Sequence, residues 1–176
     1  MNLEHKFCAL GTDVTVTDGT TISGYASLFG KADQGGDVVE RGACAASLER
    51  SHGVKLLWQH DPAQPIGVWD EVREDERGLW VKGRLLTDVA KGREAASLIG
   101  AGAIDGLSIG YRTVKARKDD KGHRLLSELE LWEVSLVTFP MLPDARVGAK
   151  GDDPADAALR DLASAFESAR RLMARD

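Results

Sequence analysis

Apolar and polar positions alternate with a period of two through most of this chain. The period becomes helical in only a few stretches. In "TDVTVTDGTTISGYA", residues 12–26, Val14 and Val16 alternate with threonines and the chain turns at Asp18-Gly19, which predicts a hairpin. "LFGKADQGGDVVERGA" reads as a loop broken by Gly30, Gly35, Gly36 and Gly42, followed by a short helix over residues 43–50. "VKLLWQHDP" predicts a mostly buried strand from Val54 to Gln59 that stops before Pro62. "IGVWDEVREDERGLWVKGRLL" predicts two alternating strands joined across residues 75–78, with Val68, Val72, Leu79, Val81 and Leu85 as their apolar positions.

Residues 88–101 carry helical spacing in Ala95, Leu98 and Ile99, with Asp88 available as a cap. Strand character returns from Ile104 to Val114. After the turn "KDDKG" it continues through "HRLLSELELWEVSLVTFP", as one long strand or two short ones. Many short strands with two or three helices indicate a mainly antiparallel β core, a barrel or a tightly curled sheet. The tail has another pattern. After a Gly/Asp linker, Asp153-Pro154 opens a helix whose Leu159, Leu162, Phe166, Ala169 and Met173 form one apolar stripe. Such a helix either packs on its own domain or docks on a partner. The chain thus divides into a β domain over 1–148 and a linker with an amphipathic helix over 149–176.

Composition narrows the class without naming a function. With 176 residues, 43% hydrophobic and 29% charged, the chain suits one soluble globular domain. A net charge of -5 with no basic block offers no nucleic-acid footprint. No signal-peptide core or membrane-length apolar run is present, so a cytoplasmic protein with no membrane partner is expected. Cys8 and Cys44 form no paired motif and read as free thiols.

The candidate chemistry starts at "DGLSIGYR", where Gly106 to Gly110 spell G-x-S-x-G around Ser108. A hydrolase elbow would need a helix after the serine and an acid and histidine later in the chain. The following "YRTVKARKDDKG" is strand and turn, and the only later histidine, His123, sits in that turn. An α/β-type esterase is therefore disfavoured, and the motif reads as a strand with Leu107, Ile109 and Tyr111 on one face and Ser108, Gly110 and Arg112 on the other. A serine nucleophile needs a base. His5, His52 and His123 lie in a terminus and in polar turns, whereas His60 ends an apolar strand. That base needs an orienting group in turn. Glu133 lies within the apolar run "ELWEVSLVTF", and a carboxylate buried there costs several kcal/mol unless paired. An imidazole, an arginine or a solvated strand face would each answer that. Glu128 and Glu130 read as exposed. Metal-ligand spacings, a Walker A loop and G-x-G-x-x-G are all missing, so neither metal nor cofactor is expected.

These pieces together resemble a known family, the prohead maturation proteases of tailed bacteriophages, which are distantly related to the herpesvirus assemblins. The resemblance runs from about Ile22 to Val147. It rests on "GYASLFGKADQGGDVVERGA", "LLWQHDPAQPIGVW", "GREAASLIGAGAIDGLSIGYR" and "LWEVSLVTFPMLPDARV". It implies catalytic roles for Ser108, His60 and, as the third member, Glu133, with Ser135 as a fallback orienting group. The implied fold is a closed or nearly closed β-barrel of assemblin type flanked by helices, often dimeric. The implied activity is a serine endopeptidase acting inside the assembling procapsid, in the host bacterial cytoplasm. Its substrates would be the scaffold protein or the scaffolding segment of the major capsid protein, and its own ends. Oxyanion donors would come from the loop around Gly102 or the segment near Arg146. A non-enzymatic head-assembly protein, bound to capsid subunits through its tail helix, is the alternative.

Overall fold

The structure, a computed structural model, describes residues 4–7, 15–17, 19–50 and 53–139. The expected tail helix, Cys8, His52 and Arg146 lie outside the described residues.

Among the described residues nine strands form one sheet: β1 (Glu4–Phe7), β2 (Thr15–Thr17), β3 (Thr21–Leu28), β4 (Asp37–Val39), β5 (Lys55–Trp58), β6 (Asp61–Glu74), β7 (Gly78–Leu85), β8 (Gly106–Lys118) and β9 (Arg124–Val137). The described residues also form two helices, α1 (Ala45–Glu49) and α2 (Ala90–Gly100). The spatial order is β1-β8-β9-β5-β6-β7-β3-β2, with β4 also paired to β9. The sheet curls into a half-barrel around a core that includes Ile22, Leu56, Ile66, Leu79, Val81, Leu107, Ile109, Val134 and Leu136. Alternation explains which face each strand buries. In β7, Leu79, Val81 and Leu85 point inward while Lys82 and Arg84 stay exposed.

The expected curled, mainly antiparallel sheet is present, and three details differ. First, among the described strands no pairing joins β2 to β1, and the sheet is a curled half-barrel. Second, the sheet is mixed, because β4 and β5 both run parallel to β9. The "QGGDVVERG" stretch, which reads as loop, therefore contains a strand. Its three residues are too few to show a period, and only β9 reveals it. Third, Asp88 does not cap α2. The N-cap is Val89, which offers no side-chain bond. The expected strand break before Pro62 is a tight turn, after which β6 starts at once at Asp61.

β9 is the organising strand. One edge pairs with β8 along nearly its whole length. The other edge pairs with β4 at Arg124–Leu126 and with β5 at Glu133–Leu136. Between those two pairings the 40–47 segment supplies partners. Leu126 O accepts from Glu40 N–H, Leu129 N–H donates to Ala43 O, and Leu131 N–H donates to Ser47 Oγ at 2.8 Å. Few of the backbone groups on this buried edge are left to desolvation.

Candidate active site

A bulge in β9 creates the site. Gly110 lies opposite Glu133 and Tyr111 opposite Leu131, so Trp132 is the extra residue and turns outward, 40% exposed. An inserted residue reverses the facing of everything beyond it. Leu129 and Leu131 face the core before the bulge, and Val134 and Leu136 after it. Glu133 and Ser135 are thereby turned to the other face, opposite Gly110 and Ser108 of β8. That face is buried nonetheless: Ser108 and Ser135 are fully buried and Glu133 is 5% exposed.

His60 reaches this face from the turn between β5 and β6. Trp58 pairs with Asp61, so Gln59 and His60 are the two central residues of the hairpin, with φ of 51° and 62°. Positive φ at both centres is the pattern of a type I′ turn, which ordinarily takes Asn or Gly. Side chains larger than these cost about 1–3 kcal/mol each in such backbone. Neighbours on β9 hold it. Gln59 N–H donates to Leu136 O at 2.9 Å, the Gln59 amide meets Thr138 Oγ1 at 2.5 Å, and His60 N–H donates to Ser135 Oγ at 3.1 Å.

The polar groups then close on one another. His60 Nδ1 lies 2.5 Å from Glu133 Oε1, and Ser135 Oγ donates to Glu133 Oε2 at 2.6 Å. Each carboxylate oxygen thus has its own donor, the condition under which a buried carboxylate is tolerated. A proton on Nδ1 leaves the Nε2 lone pair as the basic site of the imidazole.

The structure therefore joins His60 to Glu133 directly. It sets Ser108 across from Ser135, whose hydroxyl touches both. Of the other histidines, His123 stands apart from this group. His123 pairs with Asp119 at 2.9 Å in the β8–β9 turn, and His5 occupies the β1 register position opposite Gly110. Asp61, beside His60, is engaged with Ala63 N–H and the Gln64 amide, whose bonds hold its carboxyl below the usual range. In the loop around Gly102, the Gly102 and Ala103 N–H groups cap α2 on Ile99 O and Leu98 O. No group of three or more His, Cys, Asp or Glu residues able to hold a metal occurs among the described residues.

Sequence reasoning missed Gly110. A Cβ there would lie 2.0 Å from Glu133 Oε1, so the glycine makes room for the carboxylate. The signal was available, since Gly110 shares the strand face of Ser108 two residues on.

Residues 10–157 match the family described as the Caudovirus prohead serine protease. The prohead protease of Enterobacteria phage HK97 is 30% identical over 146 residues, covering 79% of this chain and 64% of the relative. That of Escherichia phage T5 is 31% identical over 130 residues, covering 70% and 60%. The chain thus spans somewhat less than two thirds of the length of these relatives. Among solved structures, the bacteriophage T4 capsid assembly protease, gp21, has a similar fold, with a TM-score of 0.65 at 14% identity, covering 78% of this chain and 98% of that one. With its family matched over most of its length, this chain belongs to the caudovirus prohead serine proteases.

Proposed function

We propose that this chain is a serine endopeptidase of procapsid maturation, with Ser108 as nucleophile, His60 as general base and Glu133 as the group that orients and balances His60. The observation that carries the reading is the buried contact of His60 Nδ1 with Glu133 Oε1 at 2.5 Å, on the strand face that bears Ser108. In this mechanism His60 takes the Ser108 proton through Nε2 as Oγ attacks a peptide carbonyl. Glu133 holds the tautomer and offsets the imidazolium charge. The imidazolium then protonates the leaving amine. Water activated by the neutral ring releases the acyl group from Ser108.

By family, the substrates are the scaffold protein or the scaffolding segment of the major capsid protein, cleaved inside the assembling shell in the bacterial host. Intact mass of the neighbouring capsid or scaffold protein, co-expressed with wild type or with Ser108→Ala, tests this. Shortening with wild type alone is expected. Shortening with both would remove Ser108 from the chemistry, and shortening with neither, despite folded protein, would overturn the substrate assignment.

A further inference from the structure

We propose that Ser135 is a positioning residue of this site, one hydroxyl that fixes both the backbone of the base and the carboxylate that orients it. The proposal rests on the reading of Ser108 and His60 as nucleophile and base. Ser135 Oγ accepts from His60 N–H at 3.1 Å and donates to Glu133 Oε2 at 2.6 Å. His60 Nδ1 returns to the other oxygen of the same carboxylate at 2.5 Å. The result is a closed ring from His60 backbone through Ser135 and Glu133 to the His60 side chain.

Each link has a physical task. The bond to His60 N–H anchors a residue at φ 62°, a conformation that a non-glycine side chain keeps only when its surroundings impose it. The bond to Oε2 prevents the carboxylate from turning about its terminal torsion, which is soft by nature. With Oε2 held, Oε1 is left to the imidazole. Ser135 can do both because β9 places it two residues from Glu133 on one strand face, and because β5 runs parallel to β9 with Leu57 beside it. A hydroxyl is the smallest group that donates and accepts at once. Ser135 is also the direct cross-strand partner of Ser108, so the ring is built on the strand pair that sets the position of the nucleophile.

The test needs no knowledge of the cleavage site. A fluorophosphonate probe reports the nucleophile: Ser108 Oγ bonds to phosphorus, the P–F bond breaks, fluoride leaves and His60 takes the proton. The maximal labelling rate and the half-saturating probe concentration are measured for wild type, Ser135→Ala, Ser135→Thr and the blank Ser108→Ala. A misplaced base costs about 10²-fold in rate, so Ser135→Ala should lose about that much maximal rate with half-saturation unchanged. Ser135→Thr, which keeps the hydroxyl, should restore it. In a Ser108→Ala background, the downfield Nδ1–H proton resonance of His60 should weaken or move upfield with Ser135→Ala.

A hydroxyl that merely fills space would lower the melting temperature, with labelling and resonance unmoved, and that result overturns the proposal. Should Ser135→Ala not fold, Ser135→Cys keeps the volume with a weak donor and is expected to show the same loss. Unlabelled wild type with the resonance intact would overturn the nucleophile assignment. Labelled wild type matched by Ser135→Ala would overturn the role of Ser135 alone.

Discussion

The β8–β9 ribbon carries a buried carboxylate near each end, and the two are built from nearly the same parts. At one end Asp37 receives Arg124 Nε and Nη2 at 2.8 and 2.6 Å and the Tyr111 hydroxyl at 3.1 Å. At the other, Glu133 receives His60 Nδ1 and the Ser135 hydroxyl. Each has a carboxylate, a cationic or cation-forming group and one hydroxyl. The difference is the proton. A guanidinium stays charged at any ordinary pH, so the Asp37 corner can only hold. An imidazole can take up and release a proton, as the role proposed for His60 requires. The backbone differs as well. Arg124 and Asp37 sit in regular strand, whereas His60 is held at positive φ in a turn. Burial and pairing alone do not mark a site. The proposed site adds a titratable partner on strained backbone.

Exchanging the charge at each corner should separate working from holding most strongly. Glu133→Gln keeps the shape but replaces one acceptor oxygen with an amide donor and removes the charge that balances the imidazolium. Loss of that carboxylate is expected to slow Ser108 labelling by about 10⁴-fold, with little change in melting temperature. Asp37→Ala should do the converse. It removes the carboxylate to which the Tyr111 hydroxyl and the Arg124 guanidinium donate. Breaking a fully buried pair costs about 3–5 kcal/mol; with the Arg124 side chain 38% exposed, the lower end is expected. The loss is read as a urea midpoint, with labelling of the folded fraction unchanged. Equal effects on stability from both variants would erase the distinction.

Much of the His60–Glu133 pairing was legible in the chain. Glu133 stood out because a carboxylate in an apolar run must find a partner, and His60 because it ended an apolar strand. Two features stayed hidden. Nothing in "WQHD" announces a type I′ turn, since neither Gln59 nor His60 is a turn residue there. The conformation comes from Leu136, Ser135 and Thr138, distant in sequence. The parallel pairing of β5 with β9 is likewise a tertiary fact that no local period carries. The bulge, by contrast, was written in "LELWEVSLV". Its apolar residues change parity from Leu129 and Leu131 to Val134 and Leu136, and such a switch marks an inserted residue. The tyrosine of the holding corner was legible only as a core residue, because its hydroxyl partner lies 74 positions away.

Gly110→Ala should sharpen the comparison without replacing any polar side chain. The new Cβ meets the Glu133 carboxylate, not backbone, so the carboxylate must move off His60. A displacement of this order costs about 10²-fold in labelling rate. Pairing the variant with Glu133→Asp, whose side chain is shorter, tests whether lost room is the cause. Recovery of part of the rate is expected. If Gly110→Ala labels as fast as wild type, the carboxylate has slack and the ring around Ser135 is not rigid.

A third corner of similar composition, set nearer the surface, gives the smallest effect and the scale for the other two. Asp75 receives the Tyr25 hydroxyl at 2.8 Å, Arg73 Nη1 at 2.9 Å and the N–H groups of Arg77 and Gly78 at 2.8 and 3.1 Å. Burial pushes its carboxyl up, but these four donors outweigh that and hold it below the usual range. A carboxylate lowered in the folded state stabilises the fold above its unfolded value, near pH 4, and the contribution is lost as pH falls through the folded value. Asp75→Asn should therefore lower stability at neutral pH by under about 1 kcal/mol, as solvent screens a partly exposed pair. The difference from wild type should close on acidification, read as urea midpoints at about pH 7 and about pH 3. A gap that persists in acid would mean that the N–H groups, and not the charge, carry the corner. Only burial would then separate it from the Asp37 clasp.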